Sequence, residues 1–264
     1  MKKLFHIILI SFISFVSMPL LASEGIGLTL GLDYSSKSIW RGMYIYDKDG
    51  VFNPFVSYDV LDTGLSVAVG GAISDDYVLE GKKHNDRFRD GHYTSLIIDY
   101  SNKFGLVTLG TGFWYGRYWN NDYTYSEAYI LLTLEDIFLS PTIIYTHDYH
   151  FSSKAETQGK DFYIQFGISH SFDLIENASL TLSAFAGYYN VSSWGDDLSG
   201  ISDIDLSAEL AVEAGAVTYS AGFHYVIVPS SDFYYHDDIH SIEINRPKKD
   251  RSRFYATFGV AYSF

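Results

Sequence analysis

Two short segments combine imidazole and carboxylate side chains, the kind of ligands that bind a divalent metal ion in proteins. One segment, "HDYH", lies at the end of an apolar run, and the other, "YYHDDIH", lies in a long polar stretch. A solvated polar loop explains both segments equally well, so the sequence predicts no metal site and no bound cofactor. The residues concerned are His147, Asp148 and His150 in the first segment, and His236, Asp237, Asp238 and His240 in the second.

Nucleophilic catalysis would need a serine or histidine held beside a base and an orienting group. His147, His170 and several serines are available, but no spacing singles out one set. We therefore predict that the protein is not an enzyme. A lipid-modifying enzyme ranks third, after two non-enzymatic functions.

Aromatic rings are concentrated in the segment "GFWYGRYWNNDYTY". Such rings can stack on sugar faces, but membrane barrels carry aromatic girdles at both interfaces without any ligand. We favour the girdle as the interpretation of Phe113, Trp114, Tyr115, Tyr118, Trp119, Tyr123 and Tyr125.

The elements that would position these residues are short segments in which apolar and small or polar residues alternate. A period of two is typical of strands that differ on their two faces. Beyond the amino terminus no segment offers the roughly 20 consecutive apolar residues of a membrane helix. The alternation predicts twelve strands, near residues 25–36, 51–60, 64–73, 92–101, 104–116, 122–134, 138–148, 160–173, 178–190, 201–213, 215–228 and 252–264.

The connections between these strands alternate in length. Those after the second, fourth, sixth, eighth and tenth strands are short, whereas most of the others are longer. Short periplasmic turns and long extracellular loops are the pattern of outer-membrane barrels. The fold class predicted is therefore all-β, a transmembrane antiparallel up-and-down β-barrel of twelve strands, with counts of ten and fourteen left open.

Strand parity also predicts which polar side chains face the barrel interior. Charges persist there only where the lumen is wet or where they are paired. Carboxylates outnumber cations, so we expect a lumen that favours cations or amino compounds. The predicted lumen residues are Asp33, Arg41, Asp59, Asp99, Glu127, Asp148, Asp205, Glu209 and His224.

The amino terminus has the order of a secretory signal peptide. Lys2 and Lys3 precede a long apolar run that ends at the small residues Ala22 and Ser23. We predict a cleaved signal peptide over residues 1–23 and a single barrel domain over residues 24–264. A membrane anchor is the alternative, because the run approaches the length that spans a bilayer.

The segment "TFGVAYSF" resembles the carboxyl-terminal signature of Gram-negative outer-membrane β-barrel proteins. The matching positions are Thr257, Gly259, Tyr262 and Phe264. The resemblance implies recognition of the last strand by the barrel-assembly machinery and pairing of that strand with the first.

A weaker resemblance lies at "YSSKSIWRG" followed by "FNPFVSYDV". It is similar to uncharacterised exported Gram-negative proteins with a Ser-x-x-aromatic-Arg-Gly segment, and it implies no activity. Parity continued from the first strand predicts that Trp40 faces outward at the membrane interface and that Arg41 faces the lumen.

The function predicted is a small-solute channel or uptake pore in the outer membrane. The alternative is a non-conducting binding or structural barrel that uses its outer loops. The formal charge of −14 argues against a nucleic-acid partner. Expected partners are outer-membrane lipid, the assembly machinery, periplasmic chaperones, an unidentified solute and lipopolysaccharide, whose phosphates suit Arg246, Lys248, Lys249 and Arg251. We expect a monomer.

Overall fold

The structure, a computed structural model, describes most of the chain after the amino-terminal segment. The predicted signal peptide, the second histidine segment and the loop cations all lie outside the described residues. The described residues are 26–44, 50–61, 63–75, 93–118, 123–150, 161–192, 198–229 and 252–264.

The described residues form fourteen β-strands. In chain order these are β1 (Leu28–Ser35), β2 (Ile39–Trp40), β3 (Met43–Tyr44), β4 (Val51–Val60), β5 (Leu65–Ser74), β6 (Tyr93–Phe104), β7 (Val107–Tyr118), β8 (Tyr123–Leu134), β9 (Thr142–His150), β10 (Phe162–Ile175), β11 (Ala178–Val191), β12 (Leu198–Ala214), β13 (Val217–Ile227) and β14 (Ser252–Ser263).

Twelve of these strands close into one antiparallel barrel, in which each strand pairs with its neighbours along the chain and β1 pairs with both β4 and β14. The predicted fold class and the count of twelve are confirmed, and ten and fourteen barrel strands are wrong. The remaining two strands, β2 and β3, form a separate short hairpin. No helix in the described part of the chain is long and apolar enough to cross a membrane.

The outer face of the barrel is apolar. Phe166, Leu182 and Phe223 are among the large side chains exposed there. On a soluble protein this surface would be an unusually wide exposed apolar patch, whereas membrane hydrocarbon would accommodate it. The alternation along each strand thus separates a lipid-facing surface from an interior lined by the intervening residues.

The two ends of the barrel differ as predicted. At one end, here called the turn end, short connections such as residues 105–106 and 176–177 join the strands. At the other, the loop end, longer connections such as residues 228–251 join them. The predicted strand over residues 138–148 begins too early: Asp136, Leu139 and Ser140 have positive φ values and form a turn, so β9 starts at Thr142.

The hairpin of β2 and β3 overturns the predicted position of Trp40. β1 ends at Ser35, and residues 39–44, here called the inner hairpin, fold into the barrel. Arg41 and Gly42 have φ values of 49° and 81° between the paired residues Trp40 and Met43. Two consecutive positive φ values are what a tight type I′ hairpin turn requires. Trp40 therefore packs inside the barrel and does not face outward.

The seam between the first and last strands is continuous. Seven residue pairs join β1 to β14, and the backbone N–H of Phe264 donates to the carbonyl of Leu28 at 2.8 Å. Asp33 lies opposite Gly259, and a Cβ at that glycine would overlap the Asp33 carboxylate. Gly259 therefore leaves room for an acidic side chain on the inner surface of the seam.

A pair of substitutions in β11 tests which face is which. Leu182 is 44% exposed on the outer face, and Ser183 is its inward neighbour. An arginine on the lipid face near the bilayer midplane costs roughly 2–4 kcal/mol, and far less in a wet lumen. We expect Leu182→Arg to reduce the heat-modifiable folded fraction on gels and Ser183→Arg to leave it near wild type. Equal losses in both variants would mean that the register of β11 is wrong.

Candidate functional site

The inner hairpin crosses the lumen from the β1–β4 side to the opposite wall. Its residues Arg41 and Gly42 reach the part of the wall that runs from β8 through β12 to the end of β13. Arg41 contacts residues of the first four of these strands, and Gly42 lies against Ser202 of β12 and Val228 just after β13. Because these strands make up half of the barrel, the hairpin obstructs the lumen toward the loop end.

Arg41 at the tip of the hairpin is surrounded by aromatic rings. Its guanidinium carbon lies 4.2 Å from the ring centre of Trp40, 4.5 Å from that of Tyr163 and 4.6 Å from that of Tyr189. Trp40 in turn meets the ring edges of Tyr125 and Tyr189. A desolvated cation over an aromatic face is stabilised by the ring quadrupole, so these rings form a cage for a planar cation.

Two carboxylates complete this cage. Arg41 Nη1 donates to Asp148 Oδ2 at 2.6 Å, and Arg41 Nη2 donates to Glu127 Oε1 at 2.9 Å. The hydroxyl of Tyr189 donates to the same Asp148 oxygen at 2.8 Å, and the hydroxyl of Tyr125 donates to Glu127. We call Arg41, Tyr125, Glu127, Asp148, Tyr163 and Tyr189 the arginine cage.

The arginine cage holds the charged side chain of Arg41 in a buried site. Arg41 is 8% exposed and Asp148 is fully buried. Burial opposes the charged guanidinium, but Tyr125, Glu127, Tyr189 and Asp148 together raise the pKa of Arg41 well above its usual value. A buried ion pair that loses one partner is destabilised by about 3–5 kcal/mol. The cage therefore anchors the inner hairpin, and its loss would leave a buried carboxylate unpaired.

A cavity of about 460 Å³ lies on the side of the hairpin that faces the turn end. Its lining includes three carboxylates, Glu127, Asp203 and Asp205, while Arg41 is the only cation among the described residues that line it. Aromatic rings from the hairpin and from β8, β10 and β14 line the rest of it together with aliphatic and amide side chains. The cavity is thus suited to a small polar or cationic molecule.

The acidic wall of this cavity has its own hydrogen bonds. Asp203 accepts bonds from the hydroxyl of Tyr163 at 3.1 and 3.2 Å and from Ser202 at 2.5 Å. Asp205 lies 3.2 Å from His224 Nδ1, and the His224 ring stacks on Tyr255 with centroids 4.4 Å apart. These contacts fix both carboxylates toward the lumen.

The predicted lumen residues fall into four groups. Arg41, Glu127 and Asp148 meet in the arginine cage, and Asp205 pairs with His224. Asp99 accepts a hydrogen bond from Tyr129 across the inner surface. The last three, which lie on the inward face and are exposed to solvent there, are Asp33, Asp59 and Glu209.

The described side chains of the first histidine segment lie on opposite faces of β9. Asp148 faces inward to Arg41, while His147 lies on the other face of β9 with Tyr145 and Tyr149. Within the described residues no cluster of three or more histidine, cysteine or acidic side chains could hold a metal ion. The ring of His170 packs against Phe138 and Phe172.

The aromatic segment divides between the two faces of the sheet. Phe113 is exposed on the outside, as the girdle interpretation predicts. Trp114 and Tyr125 instead face inward, and their ring centroids lie 5.3 Å apart. Tyr93 stacks on Trp114 and contacts Tyr118. These inward rings support the wall beside the arginine cage. Trp119 lies outside the described residues, as does the side chain of Tyr123.

Sequence reasoning missed Tyr163, Tyr189 and Asp203 as site residues. Each lies on the inward face, so strand parity was a usable signal for all three. The two tyrosines were missed because the predicted lumen residues were restricted to ionisable acids, arginine and histidine. The pairing of β11 with β12 shifts register between Gly187 and Tyr188, next to Asp203, which pairs with Gly187.

Comparison with solved structures finds membrane barrels. The KdgM porin in complex with disordered oligogalacturonate is 10% identical, with 89% of this chain and 99% of that chain covered and a TM-score of 0.54. The NanC porin is 10% identical over 90% of this chain and 100% of that one, with a TM-score of 0.52. The translocator domain of the autotransporter NalP from Neisseria meningitidis is 12% identical over 100% and 98%, with a TM-score of 0.51.

At this level of identity the likeness concerns the fold alone. No protein-family model matches the sequence, and no curated protein matches it either. The chain therefore has the fold of outer-membrane β-barrels, and two of the similar structures are described as porins.

Proposed function

We propose that the protein is a gated small-solute channel of the outer membrane with an acidic lumen that favours cations. The observation that carries the proposal is the solvent-exposed position of Asp33, Asp59 and Glu209 on the inward face. Carboxylates are exposed inside a barrel only where water reaches them. These exposed carboxylates support a wet and negatively charged lumen between the arginine cage and the turn end.

The arginine cage adjusts the predicted charge balance. Arg41 neutralises much of the charge of Glu127 and Asp148, so these two carboxylates contribute little to ion selection while the hairpin is seated. The selective field then comes from the exposed acids outside the cage, chiefly Asp33, Asp59 and Glu209. Because carboxylates outnumber cations among the described residues that line the cavity, cations and amino compounds are the favoured solutes.

A non-conducting binding barrel is the second candidate. The inner hairpin favours it, because a hairpin that crosses the lumen opposes free diffusion. A conductance record from the purified, refolded protein in a planar bilayer separates the two functions. Current steps support the channel, and their absence in both the wild type and a variant with a released hairpin supports the binding barrel.

Ion selectivity provides the sharper test. We expect the combined variant Asp33→Asn, Asp59→Asn, Glu209→Gln to shift the reversal potential under a potassium chloride gradient toward zero. The physical reason is that the exposed carboxylates concentrate cations, and screening should remove the same preference near 1 M salt, where the Debye length is about 3 Å.

The matched control removes three carboxylates from the turn end and leaves the lumen unchanged: Glu135→Gln, Asp136→Asn, Glu176→Gln. This control should keep the wild-type reversal potential. Anion selectivity of the wild type, or an equal shift in both triple variants, would contradict an acidic selective lumen.

A further inference from the structure

The arginine cage consists of a receptor and a ligand that belong to different parts of the chain. Tyr125, Glu127, Asp148, Tyr163 and Tyr189 are carried by the adjacent barrel strands β8 to β11, whereas the guanidinium is carried by the inner hairpin. The strands are fixed by continuous ladders with their neighbours. The wall residues therefore form a site whose geometry does not depend on the hairpin alone.

This wall site has the chemistry that a guanidinium requires. A planar cation can lie against Tyr163 and Tyr189 while its N–H groups donate to Glu127 and Asp148. An ammonium is a compact, strongly hydrated point charge and cannot stack and donate in this way. Arg41 also leaves capacity unused, because in the described part of the chain Asp148 Oδ1 is buried and accepts no hydrogen bond.

Arg41 has a backbone conformation that few residues other than glycine adopt. Its φ of 49° lies in the left-handed region, which is unfavourable for a residue with a Cβ. Asn and Gly are the usual residues at this position of a type I′ turn. An arginine at the tip is thus favoured by its side-chain contacts with the wall and not by the turn.

A solute can approach the wall site from the cavity. Glu127, Tyr163 and Arg41 itself all line the cavity of about 460 Å³ on the turn-end side of the hairpin. A molecule in this cavity would therefore lie beside the guanidinium of Arg41 and beside two of the groups that bind it.

We propose that the wall residues are a recognition site for guanidinium compounds, that Arg41 occupies this site as a tethered ligand, and that a free guanidinium compound displaces it and releases the inner hairpin. The proposal assigns a class of solute, the guanidinium compounds, to the cavity. It rests on the proposed function only in the expectation that such a solute passes through the lumen. A tethered group acts at an effective concentration of about millimolar, so displacement should require millimolar solute.

The first experiment tests the wall site without Arg41. In Arg41→Gly the turn conformation is kept, because glycine adopts positive φ without strain. We expect n-propylguanidinium at 10 mM to raise the unfolding midpoint of this variant by about 3 °C and n-propylammonium at equal ionic strength to leave it unchanged. The triple variant Arg41→Gly, Glu127→Gln, Asp148→Asn should not respond. Equal shifts with both compounds, or a shift in the triple variant, would overturn the site.

The second experiment tests displacement in the presence of Arg41. The chain contains no cysteine, so Ile39→Cys places a single thiol on the inner hairpin at the edge of the cavity. We expect millimolar n-propylguanidinium to increase the rate of maleimide labelling several-fold, and n-propylammonium to have no effect. Unchanged labelling would overturn displacement. Neither experiment needs a current, so a protein that binds n-propylguanidinium but does not conduct would refute the channel and support the site.

Discussion

Replacing Arg41 with glycine is expected to release the inner hairpin and to raise the equilibrium constant for its release by roughly 10²- to 4 × 10³-fold. The reason is the cost of about 3–5 kcal/mol for removing one partner of a buried ion pair, at about 1.4 kcal/mol per factor of ten. Asp148, which is fully buried beside Arg41, would lose its cation. Single-channel recordings should show a larger open fraction than in the wild type.

Two further variants identify the part of Arg41 that matters. Arg41→Lys keeps the charge but loses the planar fork, so we expect an open fraction between those of the wild type and Arg41→Gly. Adding Asp148→Asn and Glu127→Gln to Arg41→Gly should recover part of the lost thermal stability, because no uncompensated carboxylate remains buried. An open fraction and an unfolding midpoint that both stay at wild-type values in Arg41→Gly would contradict the anchoring role.

The barrel could be predicted from the sequence because its signal is local. Alternation along each strand and the lengths of the connections can be read from consecutive residues, without knowledge of contacts between distant parts of the chain. Together they were sufficient to identify twelve strands. The errors lie where a local pattern continues past the element. Ile137 and Phe138 extend an apolar run upstream of β9, but the positive φ values at Asp136 and Leu139 form a turn there.

The arginine cage could not be predicted in the same way. Parity placed Glu127 and Asp148 on the inward face, but it could not bring them to Arg41, which lies 86 and 107 residues away in the chain. That contact depends on closure of the barrel and on the infolding of the β1–β4 connection. The predicted first strand ended at residue 36, but its parity was continued to Trp40, which matches the positions of Leu32 and Tyr34. The dipeptide Arg41-Gly42 was the available signal for a turn.

Changing both Tyr262 and Phe264 to serine is expected to remove nearly all of the heat-modifiable, membrane-embedded protein from cells. Both residues lie at the turn end of the seam, where their rings meet with centroids 4.7 Å apart. They also belong to the segment that resembles the outer-membrane assembly signature. The measurement is outer-membrane fractionation followed by a gel-shift assay without boiling.

The matched control removes two aromatic rings from the same strand. Phe254 and Phe258 are exposed on the outer face of β14 and lie outside the four signature positions. If lost lipid contact were the cause, Phe254→Ser with Phe258→Ser would reduce membrane insertion as much as the signature variant. We expect the control to retain most of its folded protein in the outer membrane.

Refolding in vitro separates recognition of the signature from stability of the seam. Serine at positions 262 and 264 keeps the backbone ladder, including the pairing of Tyr262 with Leu30 and the bond from the Phe264 N–H to the Leu28 carbonyl. The purified signature variant should therefore refold in detergent micelles or lipid vesicles to nearly the wild-type extent while failing in cells. Failure in both settings would mean that the rings stabilise the closed barrel itself, and wild-type insertion in cells would exclude a role in assembly.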